Sequence, residues 1–309
     1  MNKNYYHCFF YTITLIIALV FALPGCASGK KLVRKKVTLI TTKKSDAPAF
    51  THTPPPITVW IHGSRLAQPL DAPIHAAPKH GLHHISKIPK RFRVKGIVQT
   101  ISEADPKKFP LEGFYIFGWS GYFKFTTRLE AARELYTSLQ QVVAQTVKKY
   151  NKIPEIRIIT HSHGGSIALN LAKFKDPTDA FKITDLILLA APVQYQTSGY
   201  VKDPLFEKIY SLYSSMDWLQ RIDPQGLYEG FAQKGKPIFS ERTFPIDPKL
   251  RQAKLKINGH GLDHLAFFTK SFVKLIPSIM DWLDDWEAEH PSVAEEERLL
   301  SIKRGWFTV

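Results

Sequence analysis

Residues 156–172 (IRIITHSHGGSIALNLA) combine a β-branched run, a turn of histidines and glycines, and an apolar run with helical spacing. Ser162 stands in that turn, directly before His163, Gly164 and Gly165. A serine hydroxyl is a weak nucleophile that a neighbouring general base can activate. A tight strand-to-helix turn presents the hydroxyl to a substrate, and small residues let the strand and the helix approach closely. The pattern predicts that Ser162 is a nucleophile on a strand–turn–helix element.

His161 and His163 flank Ser162, but neither is expected to be its general base. Adjacent residues on a tight turn point away from each other, whereas the base must approach Ser162 Oγ from across the site. The backbone N–H of His163 is instead predicted to donate to the oxyanion that forms during acyl transfer. The acid and the base are therefore expected elsewhere in the chain.

The chain resembles the lipase and esterase branch of the α/β-hydrolases from residue 57 to about residue 286, and three blocks carry the resemblance. The turn at Ser162 is similar to the G-x-S-x-G turn of that family, with Thr160 in place of the first glycine. The other two blocks are the His62-Gly63-Ser64 turn after an apolar run, and a W-x-G block that begins at Trp119 and continues through Arg128, Ala131, Ala132 and Leu135.

The resemblance implies an α/β fold with a mostly parallel central sheet flanked by helices. It implies that a Ser-His-Asp triad hydrolyses a lipid or other acyl ester through an acyl-serine intermediate, without a cofactor or a metal. It also implies that the backbone N–H of Ser64 is the second oxyanion donor and that His62 is structural. Acyltransferases, amidases and peptidases use the same triad, and a non-catalytic surface lipoprotein with a hydrolase-like fold is a further alternative.

The chain order of the family places the acid after the nucleophile, following a late strand. Five of the aspartates that follow the apolar run at 186–190 are candidates: Asp203, Asp217, Asp223, Asp247 and Asp263. Asp217 is predicted to be the acid, because it follows the apolar run 209–213 and a small-residue turn. Asp203 and Asp223 precede prolines and are typical of turns. As an alternative, Asp217 is the N-cap of a short helix.

The base is predicted within residues 258–264 (NGHGLDH), between the last strand and the last helix, where the family has its histidine. His264 is preferred, because a helix with suitably spaced apolar residues follows it. His260 is the alternative, because it comes soon after the strand and lies between two glycines.

Hydrophobic periodicity predicts the elements that must position these residues. Strands are predicted at the short apolar runs 57–61, 113–119, 156–160, 186–190, 209–213 and 253–257. A further strand is predicted at 37–41. Helical spacing at 126–151, 165–174 and 265–286 predicts helices, the last interrupted at Pro277. The alternation of the two patterns predicts βαβ units on a largely parallel sheet.

The composition indicates which kinds of domain, partner and cysteine chemistry to expect. Its 309 residues carry a net charge of +15 and are 44% hydrophobic, which suits a globular domain. The segment between Cys26 and His52 carries +6 of this charge, and the sequence shows no basic patch interleaved with aromatic residues, so no nucleic-acid partner is expected. Both cysteines, Cys8 and Cys26, lie in the first 26 residues, so the domain is expected to contain no disulfide and no cysteine-bound zinc.

Residues 1–26 predict a membrane-targeting segment, because the apolar run 8–23 has the length of a signal-peptide core. Its end, Leu23-Pro24-Gly25-Cys26, resembles a bacterial lipobox, which implies lipidation of Cys26 and export to a membrane surface as a lipoprotein. An uncleaved N-terminal anchor is the alternative, since basic residues follow Cys26. Residues 27–56 then form a basic proline-rich linker, 57–287 the hydrolase domain and 288–309 a charged tail.

Two further stretches could border the site. His75, His80, His83 and His84 cluster in one stretch that is predicted to be a mobile surface loop, with no metal site, because no acidic residue lies among them. Residues 224–250 are predicted to be an insertion, either a cap over the site or a plain surface excursion.

Overall fold

One mostly parallel sheet organises the chain in the structure, a computed structural model that describes residues 53–64, 78, 80–221, 243–289 and 298–302. Its order across the described strands is β2-β3-β1-β4-β5-β6-β7-β8, and β9 also pairs with β7. Neighbours from β3 to β7 are parallel, whereas β2 and β8 are antiparallel to β3 and β7. The strands are β1 (Ile57–Ile61), β2 (Gly81–His84), β3 (Phe114–Gly118), β4 (Ile156–His161), β5 (Ile183–Leu189), β6 (Phe206–Tyr213), β7 (Leu250–Ile257), β8 (His260–Gly261) and β9 (Arg298–Ile302).

Helices cover both faces of this sheet, which confirms the predicted α/β fold class. They are α1 (Arg93–Ala104), α2 (Phe125–Tyr150), α3 (Gly164–Asn170), α4 (Tyr195–Ser198), α5 (Trp218–Arg221), α6 (Lys270–Val273) and α7 (Ile276–Glu289). Alternate residues of each strand face opposite sides of the sheet. Val59 and Ile158 belong to the core cluster that includes α2 and α3, whereas Trp60 and Ile159 belong to the cluster of α1, α6 and α7.

Burial on both faces explains why the central strands are almost wholly apolar, as in other parallel sheets. Every residue of β1 and of β4 is buried. Crossover helices between parallel strands place the ends of those strands at one common edge. The turns after β1, β4, β5, β6 and β7 therefore lie along the carboxyl edge of the sheet, where ligands bind in open α/β sheets.

Two elements near the start of the domain differ from the prediction. His83 and His84 lie in β2, paired with β3, and not in a mobile surface loop. The loop prediction was wrong because Gly81–His84 lacks an apolar alternation. Helix α1 was not predicted, because Gly96 and a run of β-branched residues give it weak helix propensity.

The C-terminal part of the chain also departs from the predicted boundaries. The predicted helix 265–286 is divided into α6 and α7, and Pro277 lies in the first turn of α7, where a proline is tolerated. Strand β9 pairs with β7 in parallel, so residues 298–302 belong to the sheet although they fall within the predicted tail 288–309.

Several sequence predictions fall outside the described residues. They concern the targeting segment with Cys26, the strand at 37–41, most of the linker and most of the insertion 224–250. Phe244, near the end of that insertion, is described and lies buried in the core. No helix within the described ranges is both long enough and apolar enough to cross a lipid bilayer.

Candidate active site

Ser162 occupies a strained turn between β4 and α3. Its φ is +55°, in the left-handed region that a non-glycine residue adopts at a cost of about 1–3 kcal/mol. Its N–H donates to Leu189 O at 2.9 Å, and its carbonyl accepts from Gly165 N–H at 2.9 Å. Backbone strain of this kind concentrates at functional sites, and a serine on such a turn is the nucleophile position of the α/β-hydrolase fold.

Two glycines allow this turn to pack against the sheet. A Cβ on Gly164 would lie 2.7 Å from Ile61 O, and a Cβ on Gly165 would lie 2.6 Å from Ala191 Cβ. Thr160 stands where the family has a further glycine; it is fully buried, and its hydroxyl donates to Ile187 O at 3.3 Å. The threonine is therefore accommodated by a bond to the neighbouring strand.

Asp217 and the partly buried His264 form a hydrogen-bonded pair at the same edge of the sheet. His264 Nδ1 donates to Asp217 Oδ2 at 2.8 Å, and Asp217 is fully buried. Asp217 Oδ1 accepts from Gln220 N–H at 3.0 Å, so Asp217 also caps α5. One carboxylate oxygen of Asp217 thus binds His264, and the other caps the helix, which confirms the N-cap interpretation and leaves the role as acid a prediction. Because Nδ1 carries the proton, Nε2 of a neutral His264 is left with a lone pair.

His260, the alternative base, lies in β8 and is exposed. It pairs with Ile257 through the backbone, and within the described part of the chain its side chain forms no hydrogen bond with Ser162 or Asp217. The next residue, Gly261, packs closely on the loop before Asp217: a Cβ there would lie 2.5 Å from Met216 Cγ. The structure thus brings His264, and not His260, to Asp217.

The turn after β1 lies against Ser162. A Cβ on Gly63 would lie 2.8 Å from Ser162 Cβ, and Ser64 follows directly. His62 Nδ1 donates to Gly63 O at 2.7 Å, while Trp119 Nε1 donates to His62 O at 2.8 Å. The second of these hydrogen bonds joins the turn after β1 to the segment after β3. Among the described residues, Ser64 Oγ is one of a few buried side-chain atoms without a hydrogen-bond partner.

His163 is held by a buried polar network behind the turn. Its Nδ1 accepts from the amide of Gln194 at 3.5 Å, and its ring meets Phe123 edge-on at 4.9 Å. Gln194 Oε1 accepts from Ser166 Oγ at 3.0 Å and from Arg128 Nη2 at 3.4 Å. Arg128 belongs to the third block of the family resemblance, whereas no sequence signal singled out Gln194. The network connects α2, the loop after β5 and α3.

His161 has contacts that the sequence reasoning did not foresee. Although it is adjacent to Ser162, its ring lies 4.8 Å from the ring of His264, between centroids. Its Nε2 donates to the backbone oxygen of His264 at 2.9 Å. The turn that holds Ser162 and the loop that holds His264 are therefore in direct contact.

Exposed apolar side chains surround this edge of the sheet. Six of the large hydrophobic residues that are exposed follow the carboxyl ends of strands: Tyr122, Tyr195, Met216, Trp218, Leu219 and Leu265. Met216 and Trp218 flank Asp217, and Leu265 follows His264. Exposed apolar side chains therefore stand next in the chain to both members of the pair.

A second polar cluster lies near the amino ends of the same strands. Arg157 Nε donates to Asp185 Oδ2 at 2.9 Å, while Lys208 and Tyr210 donate to Asp284 at 2.6 and 2.9 Å. Burial raises the pKa of the Asp185 carboxyl above its usual value, and the charge of Arg157 opposes this shift. Because these charges pair with one another, the cluster is consistent with a structural role.

No family model matches the chain, and no curated protein sequence matches it. Similar solved structures include an α/β serine hydrolase homologue from Coxiella burnetii, with 13% identity and a TM-score of 0.37 over 74% of this chain and 83% of that one. A Rhizomucor miehei esterase has 12% identity and a TM-score of 0.40 over 77% and 76%. A Pyrobaculum calidifontis esterase has 13% identity and a TM-score of 0.38 over 75% and 77%. At this level of identity and TM-score, the similarities do not assign an activity to this protein.

Proposed function

We propose that this protein is a serine hydrolase that cleaves carboxylic esters with apolar acyl groups. One observation carries the proposal: the strained Ser162 turn contacts the loop of the Asp217–His264 pair, through the 2.9 Å bond from His161 to His264 O. A serine at a strand-to-helix turn, a histidine and a buried carboxylate are the three groups that acyl transfer through a serine requires.

In this mechanism, His264 Nε2 accepts the Ser162 proton while Oγ attacks the ester carbonyl carbon, and the carbonyl electron pair moves to its oxygen. The backbone N–H groups of Ser64 and His163 stabilise that oxyanion, each contributing about 3 kcal/mol. His264 returns the proton to the leaving alkoxide, which leaves an acyl-serine. A water molecule then attacks the acyl-serine carbonyl carbon while His264 accepts its proton. The ester bond to Ser162 Oγ breaks, His264 returns the proton to Oγ, and the carboxylic acid product is released. Asp217 stabilises the imidazolium in both steps.

The apolar acyl group is supported by the exposed side chains at the carboxyl edge. Met216, Trp218 and Leu265 are each more than half exposed and lie beside the acid or the base. An apolar chain that covers such side chains removes them from water, which contributes about 25 cal/mol for each Å² buried. Esters with longer acyl chains are therefore the expected substrates.

The test compares the purified protein with Ser162→Ala on a chain-length series of nitrophenyl esters. We expect Ser162→Ala to lower kcat by about a thousandfold or more without unfolding the protein. Ser162→Gly is the matched control for folding, because glycine adopts φ near +55° without strain. Ser162→Gly should be as inactive as Ser162→Ala, and its free energy of unfolding should be about 1 kcal/mol higher than that of Ser162→Ala. Ester hydrolysis that persists in both variants would contradict the proposal.

We also propose that the protein is exported and held at a membrane through Cys26. The apolar run 8–23 and the Leu23-Pro24-Gly25-Cys26 sequence support this proposal. Metabolic labelling with a palmitate analogue, followed by membrane fractionation, tests it. We expect Cys26→Ser to lose the label, and equal labelling of both proteins would contradict lipidation at this residue. An uncleaved anchor predicts membrane association with no label in either protein.

A further inference from the structure

His161 is buried at the end of β4, immediately before the proposed nucleophile. Its Nε2 lies 2.9 Å from the backbone oxygen of His264. A carbonyl oxygen can only accept a hydrogen bond, so Nε2 of His161 carries a proton. The side chain of one residue in the Ser162 turn thus binds the main chain of the proposed base.

Ring packing holds His161 in this orientation. Its ring is tilted by 48° against the ring of His264, at 4.8 Å between centroids, and it stacks on Phe268 at 5.7 Å and 26°. Its Nδ1 would lie 3.3 Å from a Cβ on Gly63, so the turn after β1 is also close to this ring. His161 therefore touches the base loop and the oxyanion turn together.

Two other hydrogen bonds of the base loop lead to the segment that follows β6. Asp217 holds the imidazole of His264 at Nδ1, and Leu262 N–H donates to Ser214 Oγ at 2.8 Å. Both partners follow β6, so they fix the base relative to the acid. The bond from His161 fixes the base relative to Ser162. Catalytic groups must be held to within about 0.5 Å, and a misplacement of about 1 Å lowers the rate about a hundredfold.

We infer that His161 is a positioning residue, which sets the distance between His264 and Ser162 by binding the backbone of His264. This inference rests on the proposed function. It assigns no proton transfer to His161, which acts through His264. The consequence is specific: loss of the bond should lower kcat, because the base is displaced, while KM changes little, because the buried ring does not meet the substrate.

The test uses two amides that differ by one methylene. In His161→Gln the side-chain nitrogen can occupy the place of Nε2 and donate to His264 O, whereas in His161→Asn it is too short. We expect His161→Asn to lower kcat about 10- to 100-fold and His161→Gln to restore most of it, with KM within about threefold in both. His83→Gln, on the distant strand β2, is the matched control and should leave kcat unchanged.

A second measurement separates positioning from a general structural role. Residues that act as a unit are strongly non-additive, so His161→Asn should lower activity little further in a His264→Ala background. A full additional loss in that background, or equal kcat for His161→Asn and the wild type, would overturn the inference while the proposed function stands. A folded wild-type protein without ester hydrolysis or fluorophosphonate labelling would overturn the proposed function, and the inference with it.

Discussion

Replacement of Asp217 by asparagine removes the charge of the proposed acid without changing its size. Asp217 Oδ1 caps Gln220 N–H at 3.0 Å, and Oδ2 accepts from His264 Nδ1 at 2.8 Å. An asparagine keeps the cap with its carbonyl oxygen, which turns its NH₂ group toward Nδ1. His264 must then accept at Nδ1 and carry its proton on Nε2. That tautomer cannot take the proton of Ser162.

The expected loss of kcat is about 10⁴-fold, the effect of the wrong histidine tautomer in a serine triad. It corresponds to about 5.5 kcal/mol of activation free energy, at about 1.4 kcal/mol for each tenfold change. KM should stay within about threefold, because Asp217 is fully buried and does not contact solvent. The assay is the initial rate of nitrophenyl ester hydrolysis, together with thermal unfolding of both proteins.

Asp247→Asn is the control, because Asp247 caps the turn before β7 at the opposite edge of the sheet. We expect its kcat and its unfolding temperature to match the wild type. The reasoning is refuted if Asp217→Asn keeps kcat within about tenfold of the wild type, since a wrong tautomer cannot be that active. It is also refuted if both variants lose the same activity, because the effect would then not depend on the acid.

Three further changes test the other parts of the site. Thr160→Gly should lower the free energy of unfolding by about 1–3 kcal/mol through loss of the buried contact and the bond to Ile187 O, while ester hydrolysis persists; denaturant unfolding and an activity assay measure both. Gln194→Leu should lower the free energy of unfolding by about 2–4 kcal/mol, because it leaves several buried polar partners without a hydrogen bond. An unchanged free energy of unfolding would contradict a stabilising role of this network. Trp218→Ala combined with Leu265→Ala should raise KM about tenfold for long acyl chains and leave short ones unaffected; an equal effect on both would contradict the apolar substrate path.

Local patterns in the sequence were enough to predict the elements around Ser162. The apolar run of β4, the small residues of the turn and the spacing of α3 lie within about twenty consecutive residues. Asp217 and His264 were selected from chain order in a resembling family, and the structure brings them to 2.8 Å. Their catalytic roles stay predictions that the activity measurements test.

Features that depend on distant packing were not predictable. Gln194 gains its importance only because Arg128 and Ser166, far away in the sequence, meet at its side chain. His161 was set aside because neighbours on a tight turn diverge, yet its ring turns toward the base loop 103 residues later. Strand β9 is a short apolar run beside charged residues, and only its pairing with β7 reveals it.

Labelling with a fluorophosphonate, followed by peptide mass spectrometry, tests the central claim most directly. The reagent reacts with a serine only where a base activates it in a site that also stabilises an oxyanion. The account predicts a single adduct on Ser162, much slower labelling of His264→Ala, and none of Ser162→Ala. A folded wild-type protein that stays unlabelled, or an adduct on another serine, would contradict it.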